Sequence, residues 1–170
     1  AGNGFARLNM EQYAGRYKPA EGTFVGTPGA PAGRGEIYRI AGGAPIYVTY
    51  NWWKTLNPTP PVTQISQEAV DQAGQPGAWS HLNYRPADGT YVSSPGAPAG
   101  RGEVYRMAGG APIYVSLSWW KTLKPTPSPI VVSQEAIDQA DKPGAWSHMR
   151  YYPADNTLVS ANGDSCLIKA

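Results

Sequence analysis

The chain repeats itself. Residues 17–83 align with residues 84–150 at a period of 67 residues, without a gap, and about two-thirds of the positions are identical. A third copy then starts, because Tyr151-Tyr152-Pro153-Ala154-Asp155-Asn156-Thr157-Leu158-Val159 matches Tyr84-Arg85-Pro86-Ala87-Asp88-Gly89-Thr90-Tyr91-Val92. That copy shortens at once: the ten-residue connection 93–102 becomes the five residues 160–164. Ser165 to Ala170 then read as the first arm of a hairpin. Self-similarity at a fixed period restricts a chain to architectures in which one unit stacks on, or closes against, its own copies.

The spacing predicts four segments. Residues 1–16 are a lead-in, residues 17–83 and 84–150 are two full repeats, and residues 151–170 are a partial third. Gly4-Phe5-Ala6-Arg7-Leu8-Asn9 echoes Gly77-Ala78-Trp79-Ser80-His81-Leu82-Asn83, so the lead-in is expected to complete the last repeat. Terminal segments that complete each other hide sheet edges, which favours one compact unit. A stretch of a longer array is the alternative.

Within each repeat the strongest local signal is a pair of β-rich runs around Gly-Gly: 36–54 in the first copy and 103–121 in the second. Such a pair reads as a hairpin. The second arm divides by pleat if it stays a strand to its end. Ile46, Val48, Tyr50 and Trp52 fall on one face, repeated as Ile113, Val115, Leu117 and Trp119, and are expected to face the core. Tyr47, Thr49, Asn51 and Trp53 fall on the other, repeated as Tyr114, Ser116, Ser118 and Trp120. That polar-aromatic face is expected to meet water or a ligand.

Other segments follow from turn and cap chemistry. Pro followed by Asp-Gly or Glu-Gly opens each repeat as a turn, and residues 23–25 and 90–92 make a short strand. Residues 28–35 and 95–102 hold two prolines and three glycines each, so they are exposed loops, ending near Arg34 and Arg101. Ser66 and Ser133 cap a short helix in each copy, with an acidic residue in its first turn. Residues 77–82 and 144–149 lead into the next repeat as turn plus strand. Twenty Gly and 17 Pro fit short strands joined by turns, while six Trp and eleven Tyr supply apolar area for a core.

Charge and composition remove several classes of function. A net charge of +2 with no basic run gives no footprint for nucleic acid. No apolar stretch reaches membrane-spanning length, so no membrane insertion is expected. The first residue is Ala1, which fits removal of a signal peptide and a secreted chain. Cys166 is the single cysteine, read as a small apolar residue in a strand. No nucleophile motif, phosphate loop or zincin signature occurs, so no catalytic residue and no cofactor is assigned. The acidic residues Glu36, Glu68 and Asp71 recur as Glu103, Glu135 and Asp138, without a spacing that points to glycoside hydrolysis. His81 and His148 lack the companions a metal site needs, so each is read as a structural hydrogen bond.

The matching Asp88-Gly89-Thr90-Tyr91-Val92, Val104-Tyr105, Gly109-Gly110-Ala111-Pro112-Ile113-Tyr114-Val115 and Gln134-Glu135-Ala136-Ile137-Asp138 segments resemble tandem repeats of secreted bacterial proteins of the actinobacterial type. The resemblance covers most of residues 17–170. It implies an extracellular or cell-wall setting and brings no catalytic residues.

The resulting expectation is a mainly β, pseudo-symmetric tandem-repeat domain, hairpin-based and barrel-, propeller- or sandwich-like, with one short helix per repeat. The expected function is non-enzymatic binding of carbohydrate or a cell-surface polymer through Tyr47, Thr49, Asn51, Trp53, Tyr114, Ser116, Ser118 and Trp120. Indole faces suit the C–H patch of a sugar ring, and hydroxyl and amide groups suit its hydroxyls. Packing of both tryptophans, one in each of two layers, is the competing account. Two other functions remain open. One is protease inhibition, or other protein binding, by the Arg34 and Arg101 loops, whose stiffness would lower the cost of ordering. The other is a structural or adhesive repeat protein.

Overall fold

The computed structural model describes residues 18–30, 35–97, 102–161 and 164–169. The fold is mainly β, and the described residues form two four-stranded sheets, one two-stranded sheet and a few short helices. In the first repeat the strands are β1 (Phe24–Gly26), β2 (Ile37–Ala41), β3 (Ala44–Val48) and β4 (Thr63–Gln64), in spatial order β3-β2-β1-β4. In the second they are β5 (Tyr91–Ser93), β6 (Val104–Ala108), β7 (Ala111–Val115) and β8 (Ile130–Val131), in order β7-β6-β5-β8. The registers correspond at the 67-residue offset: Tyr38 faces Tyr47 as Tyr105 faces Tyr114. The third copy supplies β9 (Leu158–Ala161) and β10 (Asp164–Leu167), which pair with each other.

Gly42 and Gly43 turn the first hairpin with φ of 58° and 73°, both left-handed. A tight two-residue hairpin needs this geometry, and glycine adopts it without a side-chain clash. The Glu21 carboxylate accepts both turn amides, from Gly42 at 2.7 Å and Gly43 at 2.8 Å. The turn carbonyls then accept from the junction of the two repeats, from Asn83 at the end of the first and Ala87 near the start of the second. Gly42 O takes Ala87 N at 3.0 Å and Asn83 Nδ2 at 2.8 Å, and Gly43 O takes Asn83 N at 2.8 Å. A Cβ on Gly42 would lie 2.6 Å from Ala87 N, so this approach excludes any larger residue. At the second hairpin, Gly109 O and Gly110 O accept from Ala154 N and Arg150 N in the same way.

Each sheet has apolar residues on both faces. Residues paired across strands share a face, so the pairs assign them. Phe24, Ile37 and Val48 pack with Trp53, Leu56 and Val62 on one side. Val25, Tyr38 and Ile40 pack with Val70, Ala73 and Leu82 on the other. The second repeat has the same two clusters, but its second one is larger. Val92, Tyr105, Met107, Ile137, Ala140 and Met149 are joined there by Ala41, Ala44 and Ile46 from the first hairpin. The two repeats therefore share one core at their seam. Arg39 Nη1 donating to Val131 O, and a T-shaped Tyr47–Trp146 contact at 4.5 Å, add to it.

Three expectations change. The second arm of the hairpin does not stay a strand to its tryptophans. It stops at Val48, and Tyr50–Trp53 form helix α1 capped by Thr49, whose Oγ1 accepts from Trp52 N. Helix α2 spans Gln67–Asp71. In the second repeat Ser116 caps α3 (Leu117–Trp120), and α4 spans Gln134–Asp138. A side-chain acceptor two or three residues before a helical amide competes with the sheet ladder and wins here. The pleat assignment therefore fails beyond position 48: Tyr50, Leu117 and Trp119 are exposed, while Trp120 is 4% exposed. Gly77–His81 and Gly144–His148 are 3₁₀ turns rather than strands. Cys166 does lie in a strand, opposite Val159, but it is exposed.

The same residue in the same motif has two environments. Ile46 is 1% exposed beneath the second repeat, and Ile113 is 39% exposed. Ile46→Ala should cost about 2–5 kcal/mol in urea unfolding. Ile113→Ala should cost less than about 1 kcal/mol. Equal losses would contradict the shared core.

Candidate functional site

The eight residues of the expected ligand face do not lie on one face. Thr49 and Ser116 are helix caps, each hydroxyl accepting a backbone amide at 3.3 Å. Trp53 stacks on Tyr50 with ring centres 5.9 Å apart and packs under the first sheet, and Trp120 meets Tyr91 edge-on. Asn51 and Ser118 are exposed, and Ser118 shares a 3.1 Å hydroxyl contact with Ser116. Tyr114 is exposed on β7. Tyr47 alone reaches the seam between the repeats, between Tyr38 and Trp146. Arg34 and Arg101 lie outside the described residues.

The structure instead gathers polar groups from both repeats around a cavity of about 230 Å³. Glu36, Tyr38, Gln67 and Asp71 come from the first repeat, and Tyr84, Ser147 and His148 from the second. Strand β2 carries Tyr38 and is preceded by Glu36, while α2 presents Gln67 and Asp71 one turn apart. The 3₁₀ turn of the second repeat brings Ser147 and His148 against them. Tyr38 donates its hydroxyl to Glu36 at 2.5 Å. Gln67 Nε2 donates to Asp71 at 2.9 Å and more weakly to Glu36 at 3.4 Å. The hydroxyls of Tyr84 and Ser147 are 2.9 Å apart.

His148 is fixed in orientation. Its Nδ1 lies 2.8 Å from the Tyr84 carbonyl, which can only accept, so Nδ1 carries the proton and Nε2 is the ring's acceptor. The histidine is thus a structural hydrogen bond, as its sequence context predicts, and it also lines the cavity. Burial lowers its pKa below 6.5, and the Tyr84 carbonyl opposes that shift without cancelling it. Burial, followed by the Glu36 hydrogen bond, pushes the Tyr38 hydroxyl far above its ordinary value. Tyr47 rises too, through burial and then Glu36 and Glu135. The cavity thus combines phenol, imidazole, amide, hydroxyl and carboxyl groups.

The second repeat holds half of the same arrangement. Tyr105 donates to Glu103 and is pushed up to about 12, first by burial and then by that bond. Gln134 Nε2 donates to Asp138 at 3.0 Å. Among the described residues no further Trp-Ser-His turn faces this set. None of the described His, Cys, Asp and Glu residues form a group of three suited to a metal ion.

Sequence reasoning missed the cavity as a site. Glu36, Asp71 and His148 each stand out in the sequence, but the first and last are far apart in the chain. Only the docking of the second 3₁₀ turn on the first hairpin makes them neighbours. Comparison with family models, curated proteins and solved structures finds no match to this chain.

The depressed His148 pKa links stability to pH. The unfolded chain takes up a proton near 6.5, while the folded chain takes one up only at lower pH. Stability from this group is therefore complete above 6.5 and declines as pH falls through the lowered folded pKa. The urea midpoint should drop on acidification below 6.5, and His148→Asn should remove most of that drop. A variant with the full drop would contradict the assignment.

Proposed function

We propose that this chain is a secreted, non-enzymatic binding module that takes carbohydrate in the cavity between its two repeats. The observation that carries the reading is the composition of that cavity, in which donors and acceptors from both copies converge beside aromatic rings. Gln67, Ser147 and Tyr84 offer donors at hydrogen-bond spacing, and Glu36, Asp71 and His148 Nε2 offer acceptors. Sugar hydroxyls both donate and accept, so a mixed set of this kind suits them. The Tyr84 ring, which lines the cavity, supplies apolar surface for sugar C–H groups. A cavity of about 230 Å³ is smaller than a drug-sized pocket and suits a single ring of a longer chain.

The module is in this reading a pseudo-symmetric tandem-repeat domain of two full copies and a partial third. Its copies stack edge to edge rather than closing a barrel. The matching strand orders and registers support this, as does the core shared across the seam. The secreted setting rests on the resemblance of the repeat motifs. Trp53 and Trp120 serve in this reading as packing residues, and binding shifts from the hairpin face to the seam.

Retention on insoluble polysaccharides, followed by titration with the matching oligosaccharide, tests the proposal. Gln67→Ala and Tyr84→Phe should weaken binding at least about fivefold, the loss of one or two net hydrogen bonds, with the melting temperature nearly unchanged. Trp120→Ala should lower stability by about 3–5 kcal/mol and affect binding only through folding. A panel of polysaccharides that all fail to retain the protein would sink the reading. So would full binding by both polar variants.

A further inference from the structure

The two hairpin tips differ at the three positions that surround the turn. The first tip has Lys18, Glu21 and Asn83, and the second has Arg85, Asp88 and Arg150. The first is internally complete. Glu21 accepts both glycine amides, and Lys18 Nζ donates to Asn83 Oδ1 at 2.8 Å. The second is not. Asp88 is one methylene shorter and accepts from Gly109 N alone, at 2.8 Å. Gly110 N has no carboxylate partner of the kind Gly43 has.

The exchange of lysine and asparagine for two arginines adds charge at the same place. The stems of both arginines cross Gly110: a Cβ there would lie 2.9 Å from Arg85 Cδ and 3.5 Å from Arg150 Cδ. Among the described residues, the buried Arg85 Nη1 has no hydrogen-bond partner. Its nearest acid, Asp141, is 3.8 Å away, beyond hydrogen-bond reach, and largely exposed. The Arg85 guanidinium also lies over the Tyr84 ring, its carbon 5.5 Å from the ring centre. Like charges held close and a buried donor left unsatisfied are costly features in a folded chain. An oxyanion relieves both, since guanidinium groups match its geometry with paired N–H donors.

We propose that the second hairpin tip is an oxyanion site, binding a carboxylate, sulfate or phosphate group between Arg85 and Arg150 over the Gly109–Gly110 turn. The ligand oxygen takes the part that the second Glu21 oxygen plays at the first tip. This extends the carbohydrate reading by naming the class of polymer, an acidic glycan. It rests on that reading only for the polymer and not for the anion.

The test is an NMR titration of the full chain with sodium sulfate, and separately with oligogalacturonate and a neutral glucan oligosaccharide, at constant ionic strength. Saturable shifts are expected at the Gly110 amide and at the Arg85 and Arg150 Nε–H groups for both anionic probes. Asp88→Glu supplies the missing carboxylate from within, so it should raise the urea midpoint and weaken sulfate binding at least tenfold. Arg85→Lys with Arg150→Asn, which rebuilds the first tip, should weaken it similarly and leave the fold intact. Linear, unsaturable shifts, or equal affinity in Asp88→Glu and the wild type, would overturn the proposal. Saturable sulfate binding without oligogalacturonate or glucan binding keeps the anion site and removes the carbohydrate reading. Glucan binding at the seam without a sulfate response does the reverse.

Discussion

The Gly42–Gly43 turn is the contact on which the architecture depends. Both its amides are held by one carboxylate of its own repeat, and its carbonyls are held by Asn83 and Ala87, which flank the boundary to the next repeat. A hairpin tip would ordinarily leave these groups to water. Here they fix the angle at which the second repeat begins. That angle lays α4 and the second 3₁₀ turn along β3, an edge strand with one side unpaired. Covered edges do not pair with other chains. The same docking inserts Ala41, Ala44 and Ile46 into the second repeat's core and closes the cavity around Glu36 and His148. Fold and candidate site thus follow from one set of backbone hydrogen bonds that a Cβ on Gly42 would disrupt.

Much of the local structure was legible in the sequence. The Gly-Gly hairpin, the serine-capped helices at 67 and 134, and the inward Ile46 and Val48 all appear as expected. Their determinants are local: positive φ at glycine, a cap hydroxyl, alternation over five residues. The errors are local competitions decided the other way. Thr49 and Ser116 read as members of a polar strand face, but each hydroxyl caps a helix and rotates the tryptophans behind it. Helical spacing then buries Trp120 and exposes Trp119, the opposite of strand spacing. The seam cavity was not legible, because its residues share no local pattern and meet only through docking.

Duplication here builds a cavity between copies rather than within them. Each repeat carries the Glu-x-Tyr and Gln-x-x-x-Asp half of the cavity, and the other half comes from the Ser-His turn of the following copy. The amides of the first hairpin turn are held by Glu21, whereas the second tip carries a buried guanidinium nitrogen, Arg85 Nη1, without a hydrogen-bond partner among the described residues. Nearly identical sequences therefore present different surfaces, set by what packs above them and by the Lys18, Glu21 and Asn83 exchanges at the tip. The paired tyrosines of the two hairpins show the same asymmetry, since Tyr47 is half-buried at the seam and Tyr114 is exposed.

The central claim is that the two repeats form one structural unit through this seam. Native-state hydrogen exchange tests it most directly, because it reports the opening free energy of individual hydrogen bonds. The amides of Asn83 and Ala87, on either side of the repeat boundary, bond to Gly43 and Gly42 of the first hairpin turn, while those of Ile40 and Met107 bond within the two sheets. If the account is right, all four exchange through one global opening, with the same free energy and the same denaturant dependence. Exchange of Asn83 and Ala87 through a smaller opening that leaves Ile40 and Met107 protected would show two independent units and contradict it.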